Sequence, residues 1–95
     1  MAKIIWAPSA IDDLELIAEF ISRDSPDRAS LFIDRIIEQS DKLENNPEIG
    51  RIIPEMKNPM CREILFEAYR IMYKIANNEI WITGVIHGSR DFKNE

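Results

Sequence analysis

The spacing of apolar residues changes half-way along this 95-residue chain. Between residues 9 and 43, apolar side chains recur every three or four positions, which is the period of an amphipathic helix. From residue 62 to residue 86 they alternate with polar side chains or form continuous runs, as in half-buried and fully buried strands. Helices that precede most of the strands predict an α+β fold, with the helices on one face of an antiparallel sheet.

The chain is predicted to begin with a short strand and an amphipathic helix. Residues 4–7 are β-branched or aromatic and precede a proline, which indicates a strand. Ser9 is predicted to cap the first helix, with Asp12 and Asp13 in its positively charged first turn. The residues expected on the core face of this helix are Ile11, Leu14, Ile17, Ala18 and Ile21.

A second helix and three further strands are predicted downstream. Ser25-Pro26-Asp27 supplies a cap and a first turn, and Asn45-Asn46-Pro47 ends this helix. The short connection between the two helices predicts an antiparallel hairpin. Residues 47–59 contain three prolines and a glycine and are interpreted as a loop. The predicted strands are residues 62–66, 69–75 and 80–86, which gives the order β-α-α-β-β-β.

Composition excludes several classes of protein. The single cysteine, Cys61, excludes an internal disulfide framework and a four-cysteine zinc site, and it is expected in the core. Since there is also only one histidine, no metal and no cofactor are expected. No apolar run approaches the roughly 20 residues of a membrane helix, so we expect a cytoplasmic protein without a membrane partner. The net charge of −5 argues against a domain whose whole surface binds nucleic acid.

Short motifs follow one another in a characteristic order along nearly the whole chain. They are Ala10 with Asp13-Leu14 and Ile17, Ser25-Pro26-Asp27-Arg28-Ala29 with Phe32, Leu43 with Pro47, Gly50-Arg51, Arg62-Glu63-Ile64, Tyr69-Arg70-Ile71 with Tyr73, and Val85 with His87 and Arg90. In this order they resemble the ParE branch of the ParE/RelE toxin superfamily, the toxins of type II toxin–antitoxin modules linked to plasmid stabilisation. The resemblance implies one toxin domain over residues 1–95, a helical hairpin packed on a curved antiparallel sheet.

The same resemblance implies a function and a partner. A ParE-like toxin inhibits DNA gyrase, arrests growth and is neutralised by a cognate antitoxin. The alternative is a RelE-like ribosome-dependent mRNA interferase, an endoribonuclease, so the sequence leaves open whether the protein is an enzyme. The RelE branch carries closely spaced basic residues on the strand that matches Arg62-Glu63-Ile64, and this chain does not. Both a homo-oligomer and a toxin–antitoxin hetero-oligomer are compatible with the sequence.

Four arginines and the histidine are the candidate site residues. Guanidinium groups bind phosphate or carboxylate in a planar, bidentate manner, so we interpret Arg51, Arg62, Arg70 and Arg90 as anion-facing. The alternative is that they pair with acidic residues of this chain, and Arg70, in mid-strand, is predicted to need a partner. Under the interferase alternative, the catalytic residues are His87, Arg90, Arg70 and Arg62, with His87 in acid–base work.

Four apolar residues are predicted to bind a partner. Leu16 and Phe20 lie four residues apart, outside the main apolar stripe of the first helix. They either contact the second helix or form a surface for the antitoxin. Trp6 and Phe92 are the other candidates. Phe92 lies in a short polar tail, where it has little core to pack against.

Overall fold

Two helices pack on one face of a five-stranded sheet in the computed structural model, which describes residues 1–89. The strands lie in the order β1-β5-β4-β3-β2, and the predicted α+β hairpin-on-sheet fold is confirmed. A short 3₁₀ turn, Lys42–Glu44, follows the second helix. The elements are β1 (Lys3–Trp6), α1 (Pro8–Ser22), α2 (Pro26–Asp41), β2 (Arg51–Ile52), β3 (Cys61–Phe66), β4 (Tyr69–Ala76) and β5 (Glu79–His87).

The sheet differs from the prediction in two ways. It is mixed, because β1 pairs in parallel with β5, with Ile4 opposite Ile80. No hairpin turn sets the direction of β1, so its pairing depends on Ile4 and Trp6, which pack against the main core. The second difference is β2, a two-residue strand inside the segment predicted as a loop. Two residues are too few to show an alternating pattern.

Each face of the sheet carries its own apolar cluster. The main core fills the space between the helices and the sheet, and Ile36, Ile71 and Ile82 are fully buried there. A smaller cluster on the opposite face comprises Ile53, Cys61 and Met72, with Met56 and Ile86 packed against it. The expectation that Cys61 is a core residue is confirmed, because only 5% of it is exposed.

The predicted cap of the first helix is wrong. Helix α1 begins at Pro8, one residue earlier, and its N-cap residue Ala7 has no side-chain hydrogen bond. Ser9 instead donates its hydroxyl to the carbonyl of Thr83 at 2.8 Å. Neither Asp12 nor Asp13 lies in the first turn.

Asp13 has a different role, at the edge of the sheet. Strand β1 ends opposite Ile82, which leaves the following residues of β5 without a neighbouring strand on that side. The Asp13 carboxylate accepts a hydrogen bond from the Val85 amide at 2.9 Å and so replaces the missing strand. Because Ser9 and Asp13 face β5, Ile11 lies at the edge of the buried face of α1. It is 44% exposed, so the prediction of a core position for Ile11 is wrong.

Helix α2 begins as predicted. The Ser25 hydroxyl accepts a hydrogen bond from the Arg28 amide at 3.2 Å, and Pro26 occupies the first helical position. The three residues between α1 and α2 make the hairpin short, and the two helices pack side by side. None of the helices in residues 1–89 is long and apolar enough to span a membrane.

The role of Asp13 is testable by substitution. Asp13→Ala removes the acceptor of a part-buried amide, so we expect a loss of about 1–3 kcal/mol in the free energy of unfolding. Asp12→Ala is the matched control, since Asp12 is exposed, and it should change stability by less than about 0.5 kcal/mol. Urea unfolding of the two variants measures the difference, and equal stabilities would exclude this role for Asp13.

Candidate functional site

An open groove of about 650 Å³ lies where the β3–β4 turn meets the end of β5. Its walls include three predicted site residues, Arg51, Arg70 and His87. Arg62 does not line it. The other residues along the groove are Pro54, Glu55, Leu65, Glu67, Ala68, Tyr69, Gly88 and Ser89.

A chain of charged side chains crosses the face of the sheet that is turned away from the helices. Arg70 on β4 donates Nε to Glu63 Oε1 at 2.7 Å, and its terminal nitrogens bind both oxygens of Glu55 at 2.8 Å. The other oxygen of Glu63, Oε2, accepts from Arg51 Nε at 2.7 Å. Within this network two arginines therefore face two carboxylates. The prediction that Arg70 needs a partner is confirmed.

Burial makes this network tight. The side chains of Glu63 and Arg70 are 0% and 5% exposed, whereas that of Arg51 is 54% exposed. A carboxylate removed from water is stable only when its lone pairs are satisfied, and Glu63 has an arginine on each oxygen. The hydrogen bonds that Arg70 donates to Glu55 are the largest of the effects that raise the pKa of Arg70 above its ordinary value, so Arg70 is always charged.

Arg62 has a structural role in the part of the chain that the structure describes. Its guanidinium donates to the carbonyls of Pro59 and Gly50, both at 2.9 Å. Two consecutive loops are thereby fixed to strand β3. The groups that it binds in the described residues are backbone oxygens of its own chain.

Tyr73 and Gly50 position the Gly50-Arg51 motif. The Tyr73 hydroxyl donates to the Pro47 carbonyl at 2.7 Å and accepts from the Gly50 amide at 3.0 Å. A Cβ on Gly50 would lie 2.6 Å from that hydroxyl and 2.7 Å from the Glu63 carbonyl, so only glycine fits. Burial raises the pKa of Tyr73, and the hydrogen bond from Gly50 opposes this effect.

His87 stands at the exposed end of β5. Its Nδ1 lies 2.7 Å from the Ser89 hydroxyl, and its ring meets the edge of the Tyr69 ring with 5.6 Å between centroids. No carboxylate in residues 1–89 hydrogen-bonds to it. Arg90, its predicted neighbour in the site, lies outside the described residues.

The predicted partner residues have different environments. Leu16 and Phe20 are 66% and 67% exposed, so the interpretation that the second helix covers them is wrong. Phe20 also lines a groove of about 340 Å³ together with Phe32 and Tyr69. Trp6 is half-buried against the main core. Phe92 lies outside the described part of the chain.

Comparisons with known proteins identify the family. A family model described as the ParE toxin of the type II toxin–antitoxin system parDE matches residues 4–92. The chain belongs to this family of ParE toxins. Toxin RelE2 of Caulobacter vibrioides is 28% identical over 90 residues, which span 95% of this chain and 99% of that protein.

A solved structure has the same fold as this ParE-family chain. It is described as the chromosomal ParDE TA system from P. aeruginosa, and the TM-score is 0.77. The match covers 92% of this chain and 96% of the other, at 22% identity. The protein is thus a type II toxin–antitoxin toxin. The family and its relative carry names from the ParE and the RelE branches, so these comparisons do not distinguish between the targets of the two branches.

The negative charge of this toxin lies on its helices. Residues 8–44 contain ten acidic and four basic side chains, a net charge of −6, so the described remainder is slightly positive. The net charge of −5 therefore does not describe the face of the sheet. The groove is lined by two arginines, Arg51 and Arg70, and by two glutamates, Glu55 and Glu67, so these four side chains carry no net charge. Among residues 1–89 no cluster of three metal-ligating side chains occurs.

Glu63 is the residue whose importance is not evident from the sequence. From the sequence alone, Glu63 is one of many acidic residues with which the arginines could pair. The sequence signal for this role is a glutamate within a largely apolar strand, between Arg62 and Ile64. When such a strand is buried, the glutamate needs charged or hydrogen-bonding partners.

The Tyr73 contacts predict a dependence of stability on pH. Tyr73→Phe leaves the Gly50 amide without its acceptor, and we expect a loss of about 1–3 kcal/mol. The pKa of Tyr73 is higher in the folded protein than in the unfolded chain, so with rising pH the phenol ionises in the unfolded chain at a lower pH. Ionisation stabilises the unfolded state, and the free energy of unfolding therefore falls as the pH rises above about 10.

Urea unfolding at about pH 8 and about pH 11 measures this effect. Tyr73→Phe should lose less stability between the two pH values than the native protein does. Tyr69→Phe is the control, because the Tyr69 hydroxyl makes no hydrogen bond within residues 1–89. If the native protein and Tyr73→Phe lost the same free energy of unfolding between the two pH values, the pH dependence would not come from Tyr73.

Proposed function

We propose that this ParE-family toxin acts by binding DNA gyrase, trapping the cleaved complex, and that a cognate antitoxin neutralises it. Gyrase is the target that the sequence resemblance to the ParE branch implies. Growth arrest then follows from DNA damage. The site supports a binding function more than a catalytic one.

The observation that carries this proposal is the pairing of the arginines. RNA cleavage requires cations that stabilise the developing charge on the phosphorane, together with a general base and a general acid. Arg70 is bound by two carboxylates, Arg62 by backbone carbonyls and Arg51 by Glu63. Arg70, 5% exposed, would have to leave its partners before it could contact a phosphate, and the charge of Arg51, which is 54% exposed, is already paired with Glu63.

The electrostatics of the groove support the same conclusion. A groove without excess positive charge, on a protein whose helices are acidic, does not concentrate RNA, whose binding depends on local positive charge. A protein target does not need such a field. An interface of ordinary size can form from apolar contacts with a polar rim.

The interferase alternative is supported by one observation. His87 is exposed and lines the same groove as Arg51, where a histidine could serve as general acid or base. In that case His87 and Arg90, with Arg62 and Arg70, would be the catalytic residues.

The antitoxin surface is proposed to include Leu16 and Phe20 on α1. Both side chains are about two-thirds exposed, and Phe20 extends into the neighbouring groove with Phe32 and Tyr69. Helix α1 carries four acidic residues and no basic ones. The matching segment of the antitoxin therefore presents apolar side chains beside basic ones. Trp6, which is half-buried, remains a proposed contact, as does Phe92, which lies outside the described residues.

The target is tested with purified components. We expect the toxin to inhibit plasmid supercoiling by gyrase and to leave cleaved plasmid after detergent treatment, because it traps the cleaved complex. A translation system programmed with finished mRNA should be unaffected. His87→Ala and Arg90→Ala should retain growth arrest in cells.

The opposite results favour the alternative. Unchanged supercoiling at micromolar toxin, with mRNA cleaved in the presence of ribosomes, would overturn the gyrase proposal. Loss of both cleavage and growth arrest in folded His87→Ala and Arg90→Ala would then assign the interferase function. Expression without a growth defect would indicate a homologue that keeps only antitoxin binding.

The antitoxin surface is tested by a charge introduced into the apolar stripe. The double variant Leu16→Asp with Phe20→Asp should bind the product of the neighbouring antitoxin gene at least about 30-fold more weakly, as expected when two buried interface anchors are lost. Its toxicity should be retained. Ile49→Asp is the control, since Ile49 is 57% exposed on another side of the fold. Equal affinity of the two variants would place the antitoxin elsewhere.

A further inference from the structure

The connection between β2 and β3 folds over the sheet face that is turned away from the helices. We call residues 53–59 the cover segment. Its Ile53 and Met56 pack onto Cys61, Met72 and Ile86 of the sheet, and together they form the smaller apolar cluster. This cluster shares no residue with the main core between the sheet and the helices. The cover segment can therefore lose its contacts without opening the main core.

The polar contacts of the cover segment are concentrated at its two ends. At one end the Ile53 amide donates to the Cys61 carbonyl at 3.0 Å. At the other end the Pro59 carbonyl accepts from Arg62 at 2.9 Å. The amides of Met56 and Lys57 both donate to the Ile53 carbonyl at 3.1 Å, so the middle of the segment is hydrogen-bonded to itself.

Within residues 1–89, an ion pair of Glu55 with Arg70 joins the middle of the cover segment to the sheet, beside the apolar packing of Met56. Its two hydrogen bonds are both 2.8 Å long, and the Arg70 side chain beneath it is 5% exposed. The Glu55 side chain itself is 26% exposed, so water reaches the outer partner. This charge-assisted pair at the rim of the groove, together with the packing of Met56, holds the middle of a segment whose ends are separately fixed.

We propose that the cover segment opens as a local unit when the Glu55–Arg70 pair breaks, while the helices and the main core stay folded. The closed segment hides Arg70 and the surrounding sheet face. The open segment exposes them, so the Glu55 pair controls access to this face. The inference holds whether the toxin targets gyrase or mRNA.

Cys61 reports this opening directly. It is the only thiol of the chain and lies beneath Ile53 and Met56, with 5% exposed. A thiol reagent reacts with it only when the cover segment opens or the whole protein unfolds. These two routes differ in their urea dependence, because local opening exposes little surface and global unfolding exposes much.

The experiment measures the labelling rate of Cys61 in the full-length toxin, in its native form and as Glu55→Gln and Glu67→Gln. Glu67 lines the same groove without an ion pair in the described residues, so Glu67→Gln is the control of equal charge change. We expect Glu55→Gln to label at least about tenfold faster than Glu67→Gln, the effect of weakening hydrogen bonds to a charged group. Below the unfolding transition, the rates should hardly depend on urea.

Two results would overturn the proposal. One is labelling of Glu55→Gln no faster than that of Glu67→Gln, with both variants folded. The other is a labelling rate of the native protein that rises with urea concentration as steeply as the population of globally unfolded protein does. The second measurement does not require Glu55→Gln to fold. Amide exchange gives a further check, because the Met56 and Lys57 amides should exchange faster than those of Ile71 and Tyr73 in the main core.

Discussion

The buried carboxylate of Glu63 is the interaction on which the site depends. It lies on β3 with an arginine on each oxygen, Arg51 from β2 and Arg70 from β4. Burying a carboxylate is costly, and the cost is offset only when both oxygens are bound by charged donors. Because Arg70 also binds Glu55, the same carboxylate aligns three strands and the segment that folds over them. The local structure of the site follows from this one charge.

The same pairing decides what the groove can do. Arginines that are bound to carboxylates of their own chain do not supply a field that attracts RNA. The negative charge of the whole chain, by contrast, lies on the helical hairpin, which also presents Leu16 and Phe20 to solvent. The two sides of the fold therefore differ in chemistry. The helical side is suited to an apolar and basic partner segment, and the sheet side is a neutral surface partly closed by its own loop.

Much of the fold was predictable from the sequence, because periodicity and turn residues act locally. The hairpin, the Ser25 cap and the three long strands follow from the pattern of apolar residues. The errors have a common physical cause. Ser9 and Asp13 look like helix-capping residues, but a strand edge 72 to 74 residues away in sequence binds them instead. The pairing of β1 and the two-residue strand β2 likewise depend on neighbours that no local window contains.

The sequence by itself determined the fold class, the toxin family and the residue types of the site, since these follow from periodicity and ordered motifs. It also predicted that Arg70, a charge in mid-strand, needs a partner. Only the tertiary structure decided which arginines are neutralised, because the partners Glu55 and Glu63 come from separate segments of the chain. It also decided that Leu16 and Phe20 face solvent, since the rotation of α1 is set by its contacts with β5. These features could not be predicted from the sequence because buried charges and strand edges are paired with residues that are far away along the chain.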